Sequence, residues 1–307
     1  MLEQTYFLES VANGRMMEYL NRKGYSMKSV KNSIHYWCED VVSRKYLGQG
    51  VSAAILDTGI TPHPDFGHRI VSFFDVVNGR RNAYDDSDHG THVAGILAGS
   101  GKLSDGIYGG MAPKANLIIV KVLDQDGDGL ISQVMKGIRW ILENRGRYHI
   151  RIVNISVGTK PDVPREGAEV LIKGVESLWD AGLIVVASAG NYGPREGSVA
   201  IPGVSRKIIT VGAMEGKTIL NCSGRGPTED CVVKPDVLAP GAEIIACQKN
   251  GYGAKSGTSM ATPVVSGAVA LLLSKYQDMS NVEVKLRIRE TMDENKKINI
   301  EKLMRGW

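Results

Sequence analysis

Five short, almost wholly apolar runs recur between residues 51 and 211, and they constrain the fold more than any other feature. They are Val51–Leu56, Leu117–Val122, Ile150–Ile155, Leu183–Ala187 and Ile208–Val211. Runs of this length and β-branched content read as strands buried on both faces. Between them lie His89–Ala98, Ser132–Asn144 and Glu166–Ala181, which have helical composition. Alternation of this kind predicts an α/β fold of three layers, a mostly parallel central sheet flanked by helices. In such sheets, sites gather beyond the carboxyl ends of the strands. Asp57, Ser156 and Asn191 each follow a strand run and are therefore expected on one edge.

Bulk composition narrows the function classes. The chain has 307 residues, 43% of them hydrophobic and 23% charged, enough for one large domain with a substantial core. A net charge of +4 is too mild to predict nucleic acid or an anionic membrane as a partner. No continuous apolar stretch approaches a membrane span, and the first twenty residues carry early acids where a signal peptide would be apolar. Cys38, Cys222, Cys231 and Cys247 show no C-x-x-C spacing. Free thiols in a reducing compartment, the cytoplasm, are the expectation.

The chemistry concentrates in four short strings. Ser259 lies in Gly257-Thr258-Ser259-Met260-Ala261-Thr262-Pro263, just ahead of Val264–Leu273, which is apolar on every face and suits a buried helix. A hydroxyl at the first turn of such a helix meets free backbone N–H groups and the positive end of the helix dipole. Pro263 has no N–H for the Ser259 carbonyl. The second string, Ile55-Leu56-Asp57-Thr58-Gly59, puts a carboxylate at a strand end. The third, Asp88-His89-Gly90-Thr91-His92, opens a helix of small residues with a histidine. The fourth, Ala187-Ser188-Ala189-Gly190-Asn191, hangs an amide on a glycine hinge. A serine hydroxyl is a poor nucleophile until a base takes its proton, and a neutral imidazole can do so.

Taken together, acid, histidine, amide and serine in this order resemble the subtilisin family (subtilase, S8) of serine peptidases over about residues 45–300, and its intracellular type in particular. The resemblance implies that Ser259 attacks the peptide carbonyl and that His89 takes its proton. It implies that Asp57 orients His89, while Asn191 and the Ser259 N–H stabilise the oxyanion. The segments matching Gly127-Asp128-Gly129 and Ser156-Val157-Gly158 would hold an extended protein or peptide substrate between two strand edges. Ala187, Gly190 and Ala200 would leave an open, uncharged primary pocket, favouring an apolar residue before the cut bond. Asp128 departs from an apolar cleft and would favour basic residues further upstream. No cofactor is expected for catalysis. The expected organisation is a catalytic domain over 31–307 preceded by an extension, residues 1–30, that lies over the cleft and restrains the enzyme. The alternative from another class is a non-catalytic relative that binds peptides or proteases, whose sign would be a broken triad.

Two apparent metal motifs are set aside. Asp124-Gln125-Asp126-Gly127-Asp128-Gly129 imitates an EF-hand loop, but position twelve is Met135 and the preceding residues read as strand. His89 and His92 lack a third zinc ligand nearby. Asp65, in Pro62-His63-Pro64-Asp65, matches a calcium ligand of many subtilases. The loop 99–104 lacks the asparagine-rich pattern that would complete the set, so structural calcium is left open.

Overall fold

The computed structural model describes residues 7–8, 24–160 and 165–306. Most of the 1–30 extension lies outside the described residues. Its described parts are a short strand, β1 (Phe7–Leu8), residues 24–26, of which Tyr25 bridges to Ile244, and the start of α1 (Met27–Ser33), which is followed by α2 (Glu39–Val42). Helix α1 runs across the 30/31 position, and Met27, Val30 and Ile34 are buried in the main core.

The central strands are β2 (Ser52–Asp57), β3 (Ile70–Asp75), β4 (Asn116–Lys121), β6 (Ile150–Ile155), β7 (Ile184–Ser188), β8 (Ile209–Glu215) and β10 (Val237–Pro240). Two two-residue strands, β5 (Gly129–Leu130) and β9 (Thr218–Ile219), lie outside that parallel set. The sheet order is β10-β8-β7-β6-β2-β4-β3, parallel throughout, with β9 added antiparallel to β8. From β2 the chain builds outward to β4 and β3 on one side and to β6 onward on the other. The carboxyl end of β2 therefore stands at the topological switch point, where a crevice opens.

Helices cover the sheet as the apolar pattern requires. Helices α3 (His89–Ala98) and α6 (Thr258–Lys275) pack on one another and on the sheet, while α4 (Ile131–Asn144) and α5 (Arg165–Asp180) pair and pack on β2 and β7. The remaining elements are the hairpin β11 (Ile244–Gln248)–β12 (Gly251–Lys255), which packs on α3 through β11, and the terminal helices α7 (Asn281–Thr291) and α8 (Ile300–Met304). Ser280 caps α7 as its S-x-x-E pattern implies, its hydroxyl accepting from the Glu283 N–H at 3.2 Å.

One expectation is corrected here. Helix α6 is long and apolar enough, by length and composition, to cross a membrane, yet 94% of it is buried inside the protein. Its apolar faces are answered by protein on all sides. Burial of each Leu or Val in it contributes about 1.5–3 kcal/mol.

Candidate active site

The four chemical strings lie at the carboxyl ends of the strands, Asp57 paired with His89, and Asn191 and Ser156 bonded to the Thr258–Ser259 turn. Asp57 ends β2, fully buried, and its Oδ1 accepts from the Thr58 N–H at 2.8 Å and pairs with His89 Nδ1 at 2.7 Å. Its Oδ2 is buried without a hydrogen-bond partner. An under-satisfied buried anion gains most when the ring beside it becomes positive, which is what proton transfer from a serine would bring about.

His89 owes its position to a network that the motifs did not reveal. The buried Asp85 carboxylate accepts from the Thr58 hydroxyl (2.9 Å), the Thr91 N–H (2.8 Å) and the Thr91 hydroxyl (2.6 Å), and from the Ser87 and Asp88 N–H groups at 3.1 Å. Thr58 Oγ1 in turn accepts from the Gly90 N–H at 2.9 Å. The residues on either side of His89 are thus tied to the strand end that carries Asp57. Lys121, whose side chain is fully buried, spends its three donors on Thr58 O (2.5 Å), Leu123 O (2.8 Å) and Asp86 Oδ1 (2.7 Å). It joins the Asp57 turn to the chain that leads into the Gly127–Gly129 segment.

His92 lies one helical turn on and does different work. Its Nε2–H faces the carbonyls of Ile244 and Gly253, both at 3.0 Å, and holds the β11–β12 hairpin. Burial pushes its pKa down to about 3, with the Lys255 charge adding to the effect, so the ring is neutral.

Ser259 opens α6 as the sequence predicts. Its carbonyl, left without a helical N–H partner by Pro263, accepts from the Ser156 hydroxyl at 3.3 Å. The Ser266 hydroxyl donates to Asn154 Oδ1 at 2.8 Å and Asn154 Nδ2 donates to Ser156 Oγ at 2.9 Å, so α6 is registered on the end of β6. The Ser259 hydroxyl itself donates to Ser156 O at 3.1 Å. Among the described residues it makes no hydrogen bond to His89.

Asn191 is oriented by the residue beside the serine. Its Oδ1 accepts from the Thr258 N–H (3.0 Å) and the Thr258 hydroxyl (3.1 Å), which fixes the amide so that Nδ2 is the end left to face other groups. Gly257 is required here: its φ is +138°, and a Cβ would lie 2.9 Å from Asn191 Nδ2. The residues expected to line the primary pocket also converge. Gly190 has φ +83° and packs so tightly that a Cβ would meet the Ala200 Cβ at 2.4 Å, while one on Gly158 would meet it at 3.3 Å. Ala187 pairs with Ile155 in the sheet, and Ala187 and Ala200 are both buried.

On the facing side, Asp124 Oδ1 accepts from the Asp126 and Asp128 N–H groups at 3.0 Å and shapes the Gly127–Gly129 turn. The segment is an Asx-turned loop entering β5. Strand β5 pairs antiparallel with β1, Phe7 opposite Leu130 and Leu8 opposite Gly129.

Calcium at Asp65 does not fit. The buried carboxylate accepts from the Gly101 N–H (2.9 Å), the Leu103 N–H (3.0 Å) and the Tyr252 hydroxyl (3.0 Å to both oxygens). Its other near neighbours are the Cys247 thiol and a histidine, whereas calcium asks for six to eight oxygens.

A buried carboxylate locked to an imidazole, with a serine and an anchored amide on the same sheet edge, defines a serine hydrolase of the acid–histidine–serine kind. The family description "Subtilase family" matches residues 48–307. The serine protease AprX of Bacillus subtilis (strain 168) is 39% identical over 303 residues, covering 90% of this chain and 69% of that protein. Subtilisin E of the same organism is 36% identical over 281 residues, covering 89% and 67%. A crystal structure of a cold adapted subtilisin-like serine proteinase superposes with a TM-score of 0.71 at 29% identity, covering 83% of this chain and 90% of that one. The chain belongs to the subtilase family and is a serine endopeptidase.

Proposed function

We propose that this endopeptidase cleaves proteins through an acyl-enzyme on Ser259, with His89 as base and then acid and Asp57 holding the ring. The Asn191 amide and the Ser259 N–H stabilise the oxyanion. The Asp57–His89 contact of 2.7 Å at the edge that carries Ser259 is the observation that supports this most strongly. A bound substrate pairs with the main chain of Ser156–Gly158 and Gly127–Gly129. Its arrival takes Ser156 O away from the serine hydroxyl, which then rotates about Cα–Cβ to His89. The small residues Ala187, Gly190 and Ala200 admit a medium or large apolar side chain before the cut bond. Asp128 draws a basic residue further upstream.

The N-terminal extension acts as a restraint in this reading. Support comes from β1, which occupies the free edge of the β5 strand where an extended substrate would add. The free state of all four cysteines supports residence in the cytoplasm, where an active peptidase needs such a restraint. Structural calcium at Asp65 is not part of this proposal.

The test compares the wild type with Ser259→Ala on a denatured protein and on a short apolar chromogenic peptide. Loss of both activities with retained fold supports the assignment, and retained activity refutes it. Deleting residues 1–12 should raise peptide hydrolysis; unchanged or lost activity removes the restraint from the account.

A further inference from the structure

The corner that holds Asp65 carries a donor set of another kind. His63, Asp65 and Cys247 are all buried, and one ligand-type atom from each lies within 4.8 Å of the others. Cys247 Sγ is 3.6 Å from Asp65 Oδ2, and His63 Nδ1 is 3.7 Å from Asp65 Oδ1. Tetrahedral coordination with bonds of about 2.0–2.3 Å has edges of about 3.3–3.8 Å, and each separation fits one such edge; they run to different oxygens, so the carboxylate turns on binding to share one oxygen between sulfur and nitrogen. The Tyr252 hydroxyl, 3.0 Å from both carboxylate oxygens, supplies a fourth donor beside the cluster. His63 Nδ1 accepts from the Asp65 N–H at 3.2 Å, a bond that an ion would replace, while Nε2 is buried with no hydrogen-bond partner, so the ring is only half used by the fold.

We propose that His63, Asp65 and Cys247, with the Tyr252 hydroxyl beside them, bind a single thiophilic divalent cation of the zinc class. Sulfur and nitrogen donors beside one carboxylate favour such an ion over calcium. The carboxylate keeps its bonds from the Gly101 and Leu103 N–H groups, which then serve as outer supports for a metal ligand. On binding, the Cys247 thiol gives its proton to solvent as the metal–sulfur bond forms, and thiolate and carboxylate together balance the dication. The nearby Arg69 guanidinium donates to the carbonyls of Ala98, Ala115 and Asp65, which leaves the carboxylate to the ion. The ion would clamp three segments that meet here: the turn at 62–66, the loop at 99–103 and the β11–β12 hairpin. It lies apart from the catalytic chemistry and stands whether or not that assignment holds.

The experiment uses the full chain as Ser259→Ala, so that self-digestion is suppressed, reduced and stripped of metal. Titration with Co2+ should produce thiolate-to-cobalt charge-transfer absorption that saturates at one equivalent and is abolished by Zn2+. Zn2+ alone should raise the Tm in a saturable way. Cys247→Ser should lose both the absorption and the Tm gain. A Cys38→Ser, Cys222→Ser, Cys231→Ser variant, which keeps only Cys247, should retain both, and this holds the test open if Cys247→Ser folds poorly. The proposal is overturned if the chain with Cys247 as its only cysteine shows no band. It is equally overturned if the band persists in a folded Cys247→Ser protein.

Discussion

Replacing Asp85 by Ala should damage both stability and catalysis, although Asp85 touches neither substrate nor imidazole. Asp85 is 5% exposed, and its carboxylate takes five hydrogen bonds. Ser87 and Asp88 are half-buried residues, where water can reach to replace the lost acceptor. The Thr91 N–H, the Thr91 hydroxyl and the Thr58 hydroxyl are fully buried, where water cannot reach freely. An orphaned buried donor costs about 1–3 kcal/mol, and water entering the gap relieves part of the three, which leaves about 3–5 kcal/mol. At roughly 2–4 °C per kcal/mol for a chain of this size, the Tm should fall by about 10 °C. Loss of the Thr58–Gly90 and Thr91 anchors also frees the start of α3, and a misplacement of about 1 Å in catalytic geometry costs on the order of 10²-fold. Hydrolysis of a chromogenic peptide well below the new Tm should therefore show kcat/KM reduced roughly 10- to 100-fold, mostly in kcat. Asp85→Asn keeps one acceptor oxygen and should fall between. A Tm within about 2 °C and a kcat/KM within about twofold of the wild type for Asp85→Ala would refute the positioning argument.

Three further outcomes follow from the same geometry. His92 is neutral in the folded state down to about pH 3 but takes up a proton near its ordinary range when unfolded, so stability is complete above that range and falls as pH drops towards 3. The limiting slope is about 1.4 kcal/mol per pH unit, and chemical denaturation of His92→Gln across pH 4–7 should show that slope diminished. Asn191→Ala should lower kcat with little change in KM; about 10²–10³ is the loss for the corresponding donor in a subtilisin, a figure that belongs to that enzyme. An unchanged kcat would remove Asn191 from the oxyanion site. Lys121→Met should lower stability by about 1–3 kcal/mol through the unpaired Thr58 and Leu123 carbonyls, and raise KM as the substrate segment loosens. An unaltered Tm would show that these bonds contribute nothing.

The parallel sheet and the site strings were legible because each is written locally. Val51–Leu56 and Ile150–Ile155 are apolar enough to be buried on both faces, and His89–Ala98 has the bounds that the helix adopts. The edge strand Ile70–Asp75 escaped that pattern because most of it is only half-buried, so no continuous apolar run marks it. The β11–β12 hairpin was also hidden, since Gly251-Tyr252-Gly253 has little strand character and is held instead by His92 from α3. Contacts across long stretches of chain were illegible altogether. The use of Asp85 by Thr58, of Thr258 by Asn191 and of Asp65 by Gly101, Leu103 and Tyr252 depends on a meeting that no local spacing encodes. Asp65 is the instructive residue: its motif suggested a calcium ligand, but the identity of its neighbours decides what its oxygens accept.

Catalysis in this protein depends above all on Ser259 being the nucleophile that His89 activates. Treatment of the folded protein with an irreversible serine-directed phosphonylating probe, followed by peptide mass mapping, tests this directly. A single adduct on Ser259, lost in a folded His89→Ala variant, is the predicted result. A folded wild-type protein that stays unmodified, or that carries its adduct on another residue, would contradict it.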